Sequence, residues 1–251
     1  MKAIVIFDID GVIRDVGSSY RRALADTVEY FTQNNYRPTM ADIDELKSEG
    51  IWNNDWQASE EFIYRYFEKL NQPRTEVNLD YEEIVKFFQS RYRGNNFDGY
   101  ITTEPLLVSK QYFDNLTQNN LGWGFFSGAT RGSAEFIIKK RLGLENPVLV
   151  AMEDAPGKPD PTGLFDTIKQ ITQENIPIIY IGDTVADIYT VIKAAEVQSS
   201  RQWLGVGVLP PHVLSDVEIS AHYSEQLKKA GAAIVIDNVE KLTPELIEKL
   251  I

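Results

Sequence analysis

Six short apolar runs constrain the fold of this chain more than anything else in it: Ala3–Phe7, Trp123–Phe126, Val148–Met152, Ile178–Ile181, Trp203–Val208 and Ala233–Ile236. Runs this short and this apolar read as strands buried on both faces, the pattern of parallel sheets. Between the later runs, apolar residues recur at helical spacing. Examples are Phe136/Ile137 with Leu142, then Leu164/Phe165 with Ile168 and Ile171, then Ile188 with Val191/Ile192 and Ala195. Strand and helix therefore alternate. That alternation predicts an α/β fold, a doubly wound parallel sheet covered on both faces and joined by right-handed crossovers.

Residues 15–100 depart from the alternation. Ser18 or Ser19 is placed to cap a helix whose apolar face is Tyr20, Ala23/Leu24, Val28 and Phe31. A second helical stretch carries Phe62/Ile63, Tyr66/Phe67 and Leu70, and a third Ile84/Val85 and Phe87/Phe88. No core-type strand intervenes. The segment reads as an all-helical insert, a candidate lid between the first strand and the rest of the sheet; the other reading packs these helices into one domain.

The first apolar run ends in Asp8, Asp10 and Gly11. Open α/β sheets bind their ligands at the C-terminal ends of the strands, and period-two geometry would turn both carboxylates to one side. Two anions so close require either that one is protonated or that a cation neutralises both, and a divalent metal is the simplest resolution. A lone Asp-x-Asp also fits a polar strand end facing water.

Three further strand ends carry polar groups. Ser127-Gly128 follows the second run, and Ser127 offers a hydroxyl while the backbone N–H groups after it would open a helix favouring a phosphate. Lys158, in Lys158-Pro159-Asp160-Pro161, supplies positive charge on a loop stiffened by proline. Asp183 and Asp187, in Gly182-Asp183-Thr184-Val185-Ala186-Asp187, add carboxylate oxygens. Each alone has an ordinary explanation: a strand-to-helix turn, a solvated lysine, acids in the first turn of a helix. Four such sites in order, each after a predicted strand, point instead to one converged site.

Composition narrows the chemistry. The chain has no cysteine, so any metal must be held by oxygen, and an oxygen-only set with several carboxylates suits Mg²⁺. His212 and His222 have no metal-ligand spacing and read as surface residues. With 25 Lys plus Arg against 37 Asp plus Glu, a formal net charge of −12 argues against nucleic acid as a partner. The opening apolar run is too short for a signal peptide or a membrane span, which leads to the expectation of an intracellular, cytoplasmic protein without a membrane partner. By the same expectation Asn115-Leu116-Thr117 matches the glycosylation pattern by accident. Oligomeric state has no signature here.

Asp8-Ile9-Asp10-Gly11-Val12, Ser127-Gly128, Lys158-Pro159-Asp160-Pro161 and Gly182-Asp183-Thr184-Val185-Ala186-Asp187 resemble the four motifs of the haloacid dehalogenase superfamily. The resemblance spans the chain, and the helical insert is similar to the cap of subfamily I, most nearly that of its phosphatases. It implies a Rossmann-like catalytic core of residues 1–14 and 101–251 with a helical cap domain of residues 15–100. It further implies Mg²⁺-dependent hydrolysis of a small phosphorylated metabolite. Asp8 would attack phosphorus and form an aspartyl-phosphate. Asp10 would protonate the leaving group and then activate water. Asp8, the main-chain carbonyl of Asp10 and Asp183 would hold Mg²⁺, with Asp187 orienting Lys158 or a metal-bound water. Ser127, Gly128 and Lys158 would bind the phosphoryl oxygens.

Substrate candidates lie elsewhere. Trp52-Asn53-Asn54-Asp55-Trp56 is a polar turn between large aromatics, suited either to gripping a small polar substrate or to anchoring a loop on its own helices. Arg14 would meet either a substrate anion or a nearby acid. Asp10 argues against a dehalogenase or a phosphonatase. A phosphomutase on the same core, and a non-catalytic binder of phosphate or Mg²⁺, stay open.

Overall fold

The computed structural model describes residues 1–49, 51–52 and 54–251. The chain divides into two compact units, Met1–Asp15 with Pro105–Ile251, and Val16–Glu104. Among the described residues, no helix is long and apolar enough to cross a membrane.

Chain order is β1 (Ile4–Phe7), α1 (Tyr20–Phe31), α2 (Met40–Ser48), α3 (Asp55–Lys69), α4 (Tyr81–Tyr92), α5 (Lys110–Gln118), β2 (Gly122–Phe126) and α6 (Arg131–Glu135). Then come β3 (Leu149–Val150), α7 (Thr162–Ile171), β4 (Ile178–Gly182), α8 (Val185–Val197), β5 (Trp203–Val208), α9 (Pro211–Leu214), α10 (Val217–Lys229), β6 (Ile234–Ile236) and α11 (Pro244–Leu250). Past α6 the chain continues as a π-helical stretch, Phe136–Arg141.

The larger unit is built on a six-stranded sheet in the order β3-β2-β1-β4-β5-β6, parallel at every pairing. This is the doubly wound Rossmann-like arrangement, and the strand order reverses between β1 and β4, where ligands bind such sheets. The central strands are apolar throughout because both faces are covered. Ile4 and Ile6 of β1 join Phe126, Tyr180, Leu164, Ile168, Val191 and Ala194 in a cluster with α7 and α8. Phe7 alternates to the other face, where its ring lies 5.3 Å from that of Phe113 in α5 and 5.9 Å from that of Phe125. Phe113 is fully buried against Phe7, Tyr112, Trp123 and Phe125. Phe113→Ala is therefore expected to cost about 3–5 kcal/mol, read as a lowered denaturant midpoint with m unchanged.

The smaller unit is helical. Ala23, Leu24 and Val28 of α1 are buried, as are Phe62 and Ile63 of α3 and Ile84, Phe88 and Tyr92 of α4. Tyr20 stacks on Tyr92 with ring centroids 4.2 Å apart. The breaks fall after Asp15 and after Glu104 rather than after residues 14 and 100. The reason for the second shift is a single 3-10 turn, Tyr100–Thr103, whose Tyr100 hydroxyl donates to Asp26 of α1 at 2.5 Å. Ser19 occupies the N-cap position of α1 without capping it. Its hydroxyl donates instead to the carboxylate of Glu104, and both residues are buried.

Two expectations for the Trp52–Trp56 turn meet ordinary structure. The indole of Trp52 donates to Glu49 at 2.8 Å, and Glu49 is gripped by both terminal nitrogens of Arg65 at 2.7 and 2.8 Å. Asn54 caps α3, accepting from the N–H groups of Trp56 and Gln57, and Asp55 pairs with Lys47 at 2.7 Å. These contacts are those of an anchored loop. Asn53 lies outside the described residues.

Candidate active site

Four adjacent strands, β3, β2, β1 and β4, each deliver polar groups at their C-terminal ends. Asp8 follows β1, and its N–H donates to Ile181 of β4 at 2.8 Å, which fixes the carboxylate beside the sheet's switch point. Ser127 follows β2, held by its N–H on Val150 of β3 at 3.0 Å. Lys158 lies on the loop between β3 and α7, while Asp183 and Asp187 flank the start of α8.

Lys158 is the hub. Its ammonium sits 2.6 Å from Asp187 Oδ1 and 2.7 Å from Asp8 Oδ1, against the faces of Phe126 and Tyr180 at 5.5 and 5.4 Å. The Asp187 contact is an aligned hydrogen bond; the Asp8 contact is an ion pair off the hydrogen-bonding line, so the buried Asp8 Oδ1 has no aligned donor. Burial works to strip Lys158 of its proton, but Asp187 and Asp8 beside it outweigh that and hold it well above the ordinary lysine range.

Asp187 has every acceptor position in use. Oδ1 takes Lys158 and the Tyr180 hydroxyl, the latter at 3.1 Å, and Oδ2 takes the Thr184 N–H at 2.9 Å and hydroxyl at 2.6 Å. Thr184 and Asp187 form a reciprocal capping box on α8. These bonds hold Asp187 against Lys158, one of the tasks expected of it, while its carboxylate also belongs to the oxygen cluster expected to serve a metal. Tyr180 was legible in the sequence only as a core strand residue; its hydroxyl also lies 3.0 Å from the Phe126 carbonyl. The Thr-x-x-Asp pattern was the available signal for the cap.

Asp8, Asp183 and Asp187 each offer an oxygen, and these atoms lie within 4.8 Å of one another. Burial pushes the Asp8 carboxyl up to about 7 against the opposing pull of Lys158, with Asp187 and Asp10 adding repulsion. Asp183 is pushed well above the usual carboxylate range, first by burial and then by Asp187 and Asp8. Two buried carboxylates and the half-buried Asp183 facing one lysine, with an oxygen of Asp8 lacking an aligned donor, fit a hard divalent cation: the oxygen-only donor set matches, and a dication offsets the burial and repulsion that raise Asp8 and Asp183.

Asp10 is not part of that oxygen cluster, although its charge adds to the repulsion on Asp8 and Asp183. Strand geometry ends at Phe7; the chain then turns through Ile9–Arg14, with Ile13 and Arg14 N–H groups donating to the Ile9 carbonyl at 2.8 and 3.2 Å. Asp10 faces Arg14, whose Nε and Nη2 reach its Oδ1 at 2.7 and 2.6 Å. The nearby acid expected for Arg14 in one of its two readings is Asp10.

Gly11 makes the turn possible. Its φ is +74°, and a Cβ there would lie 2.1 Å from Asp183 Oδ2. Gly11→Ala is expected to cost about 1–2 kcal/mol in backbone strain alone. It should also displace the Asp183 carboxylate, so catalytic loss should exceed the small fall in melting temperature when both are measured. Gly182 has a parallel task, since a Cβ on it would meet Asp187 Cγ at 2.2 Å. At Ser127 the expected helix start is delayed: α6 begins at Arg131, and Ser127 Oγ accepts from the Ala129 N–H at 3.1 Å in a tight turn that includes Gly128.

The family model described as haloacid dehalogenase-like hydrolase matches residues 2–194, across all four of these strand ends. The chain belongs to the haloacid dehalogenase-like hydrolases. Imidazoleglycerol-phosphate dehydratase of Phytophthora nicotianae is 31% identical over 252 residues, covering 98% of this chain and 51% of that protein. The chain therefore spans about half the length of that relative. A hydrolase from Pseudomonas syringae shares the fold with a TM-score of 0.65 at 19% identity, over 98% of each chain. Phosphatase Tt82 of Thermococcus thioreducens gives 0.63 at 23% identity, over 76% of this chain and 88% of its own. At these identities the solved structures establish that this family member has the fold of such hydrolases.

Proposed function

We propose that this haloacid dehalogenase-like hydrolase cleaves a small phosphate monoester through an aspartyl-phosphate on Asp8, with Mg²⁺ as its cation. The observation that carries the reading is the buried Asp8–Lys158–Asp187 chain beside Asp183, at the ends of four neighbouring strands. Asp8 and Asp183, with the main-chain carbonyl of Asp10, are the residues to hold Mg²⁺, which when bound neutralises charge on the transferring phosphoryl group. Everything else is done by side chains. Lys158, Ser127 and the Gly128 N–H bind phosphoryl oxygens; Asp187 keeps Lys158 in place and charged; Asp10 exchanges a proton with the leaving oxygen and then with water. Phosphoryl transfer depends mostly on positioning and charge neutralisation, so these groups suffice for it. The helical unit is assigned the role of cap, with selectivity for one phosphorylated metabolite.

The dehydratase name of the Phytophthora relative belongs to a protein about twice as long. The residues of this chain form a nucleophile, a proton carrier and a phosphate site, a set that suits phosphoryl transfer rather than dehydration. A panel of phosphorylated metabolites assayed with Mg²⁺, scored for released phosphate, tests the reading. Phosphate release supports it; isomerised ester without phosphate release replaces hydrolysis by mutase chemistry on the same site, and binding without turnover makes the chain a binder.

A further inference from the structure

We infer that Arg14 is a positioning residue that makes Asp10 work through one oxygen, an inference that rests on the phosphoryl-transfer reading above. Arg14 is fully buried, and its Nε and Nη2 both converge on Asp10 Oδ1 at 2.7 and 2.6 Å. The Asp10 side chain is 28% exposed, and among the described residues no donor contacts its Oδ2. One oxygen is clamped from below and the other is left open.

The base of the clamp is fixed. The Arg14 carbonyl accepts from the Gly11 N–H at 2.9 Å, so the Ile9–Arg14 turn that carries Asp10 closes on Arg14 itself. Arg14 also forms an antiparallel bridge with Leu106, flanked by Asp15 N–H on Pro105 and Leu107 N–H on Ile13, both at 2.9 Å. A lysine or a flexible surface arginine could not define the rotation of a carboxylate in this way, because only the planar fork fixes direction as well as charge.

The chemistry gives that rotation a use. In the first half-reaction a bond forms from an Asp8 oxygen to phosphorus as the bond from phosphorus to the leaving oxygen breaks, and the proton on Asp10 Oδ2 passes to that oxygen. In the second, a water oxygen bonds to phosphorus as the Asp8–phosphorus bond breaks, and the water's proton returns to Oδ2. A carboxyl free to rotate about its last torsion would present either oxygen at varying distance; misplacement by about 1 Å costs on the order of 100-fold in rate.

Comparison of an aryl and an alkyl ester tests this. p-Nitrophenolate leaves without protonation, whereas the alkoxide of glycerol 3-phosphate needs it. R14K is expected to lower kcat/KM for glycerol 3-phosphate by about 10–100-fold, with a loss at least tenfold smaller for p-nitrophenyl phosphate and KM little changed for either. D10N should show the same split, and the D10N/R14K double variant should lose no more than D10N alone. Equal losses on both esters would overturn the inference in favour of a structural role, and a rise in KM for both at constant kcat would make Arg14 a substrate-anion site. A measurement independent of how R14K folds is the Arg14 Nε–H resonance in ¹⁵N spectra: slow exchange in the wild type and loss of protection in D10A are expected, and fast exchange in the wild type overturns the clamp. Failure of the underlying reading looks different, since D8N would then match wild type on p-nitrophenyl phosphate whatever Arg14 does.

Discussion

Asp8→Asn is expected to reduce turnover of every phosphate ester the protein accepts by at least ~10⁴-fold, because on the proposed reading the substitution removes the nucleophile and leaves no substitute. No other carboxylate can take over the attack. Asp187 has four donors on its two oxygens, and Asp10 is held toward Arg14. Asp183 is separated from the turn only by the absence of a Cβ on Gly11, and any shift that brought it forward would vacate the proposed cation site. The fold should survive the change. Asp8 sits beside the cationic Lys158 and near two acids, and an amide there relieves repulsion from Asp187 and Asp10 while losing attraction to Lys158. Steady-state phosphate release and a thermal melt, made on the same samples, separate the two effects: activity collapses while the melting temperature moves by a few degrees. Loss of both together would make Asp8 a structural residue.

The second large effect is the coupling of divalent cation to protons. Without a cation, burial holds Asp8 near 7 and Asp183 well above the usual range, so the folded protein keeps protons that the unfolded chain gives up near pH 4. The folded state thus binds more protons than the unfolded state across the interval from about 4 to 7, and cation-free stability is expected to fall as pH rises through it. Mg²⁺ requires these carboxylates deprotonated. Its binding should release protons at neutral pH and tighten as pH rises from 5.5 to 8, by up to tenfold per pH unit for each proton displaced. At 100 times the dissociation constant the bound cation would add about 2.7 kcal/mol of stability, so the Mg²⁺-induced rise in melting temperature should grow with pH. Calorimetry in two buffers of different ionisation enthalpy reads the proton count directly. EDTA should abolish turnover and added Mg²⁺ restore it; full turnover in cation-free buffer, or binding that is independent of pH, contradicts the assignment of Asp8 and Asp183.

The sheet was legible because parallel strands buried on both faces leave an unmistakable mark, and β1, β2, β4, β5 and β6 fall within a residue of their apolar runs. The Val148 run shrinks to Leu149–Val150, since only Phe125 and Phe126 of β2 pair with it. Helices were legible when they buried a broad stripe, as α1 and α7 do. By contrast α10 buries only Leu227, and its first turn depends on the Asp216 side chain accepting from the Glu218 and Ile219 N–H groups, so periodicity had little to register. α2 escaped for a similar reason, with its start set by the Thr39–Asp42 capping box.

The convergence of Asp8, Lys158, Asp183 and Asp187 followed from strand ends alone, but their individual tasks did not. The pairing of Asp10 with Arg14 was not legible from the pleat, because β1 ends at Phe7, before it reaches Asp10. The positive φ of Gly11, the space that Gly11 and Gly182 leave for carboxylates, and the double use of Tyr180 as core residue and hydrogen-bond donor are properties of packing that a one-dimensional pattern does not encode.

The central claim is that Asp8 becomes phosphorylated during turnover. The direct measurement is acid quenching of the protein with Mg²⁺ and its best substrate, followed by digestion and mass analysis of the peptide containing Asp8. The expected result is one added phosphoryl group on that peptide in the wild type, absent in D8N and absent when Mg²⁺ is withheld. A phosphoryl group on any other residue of the turning-over protein, or undiminished turnover by D8N, contradicts the account.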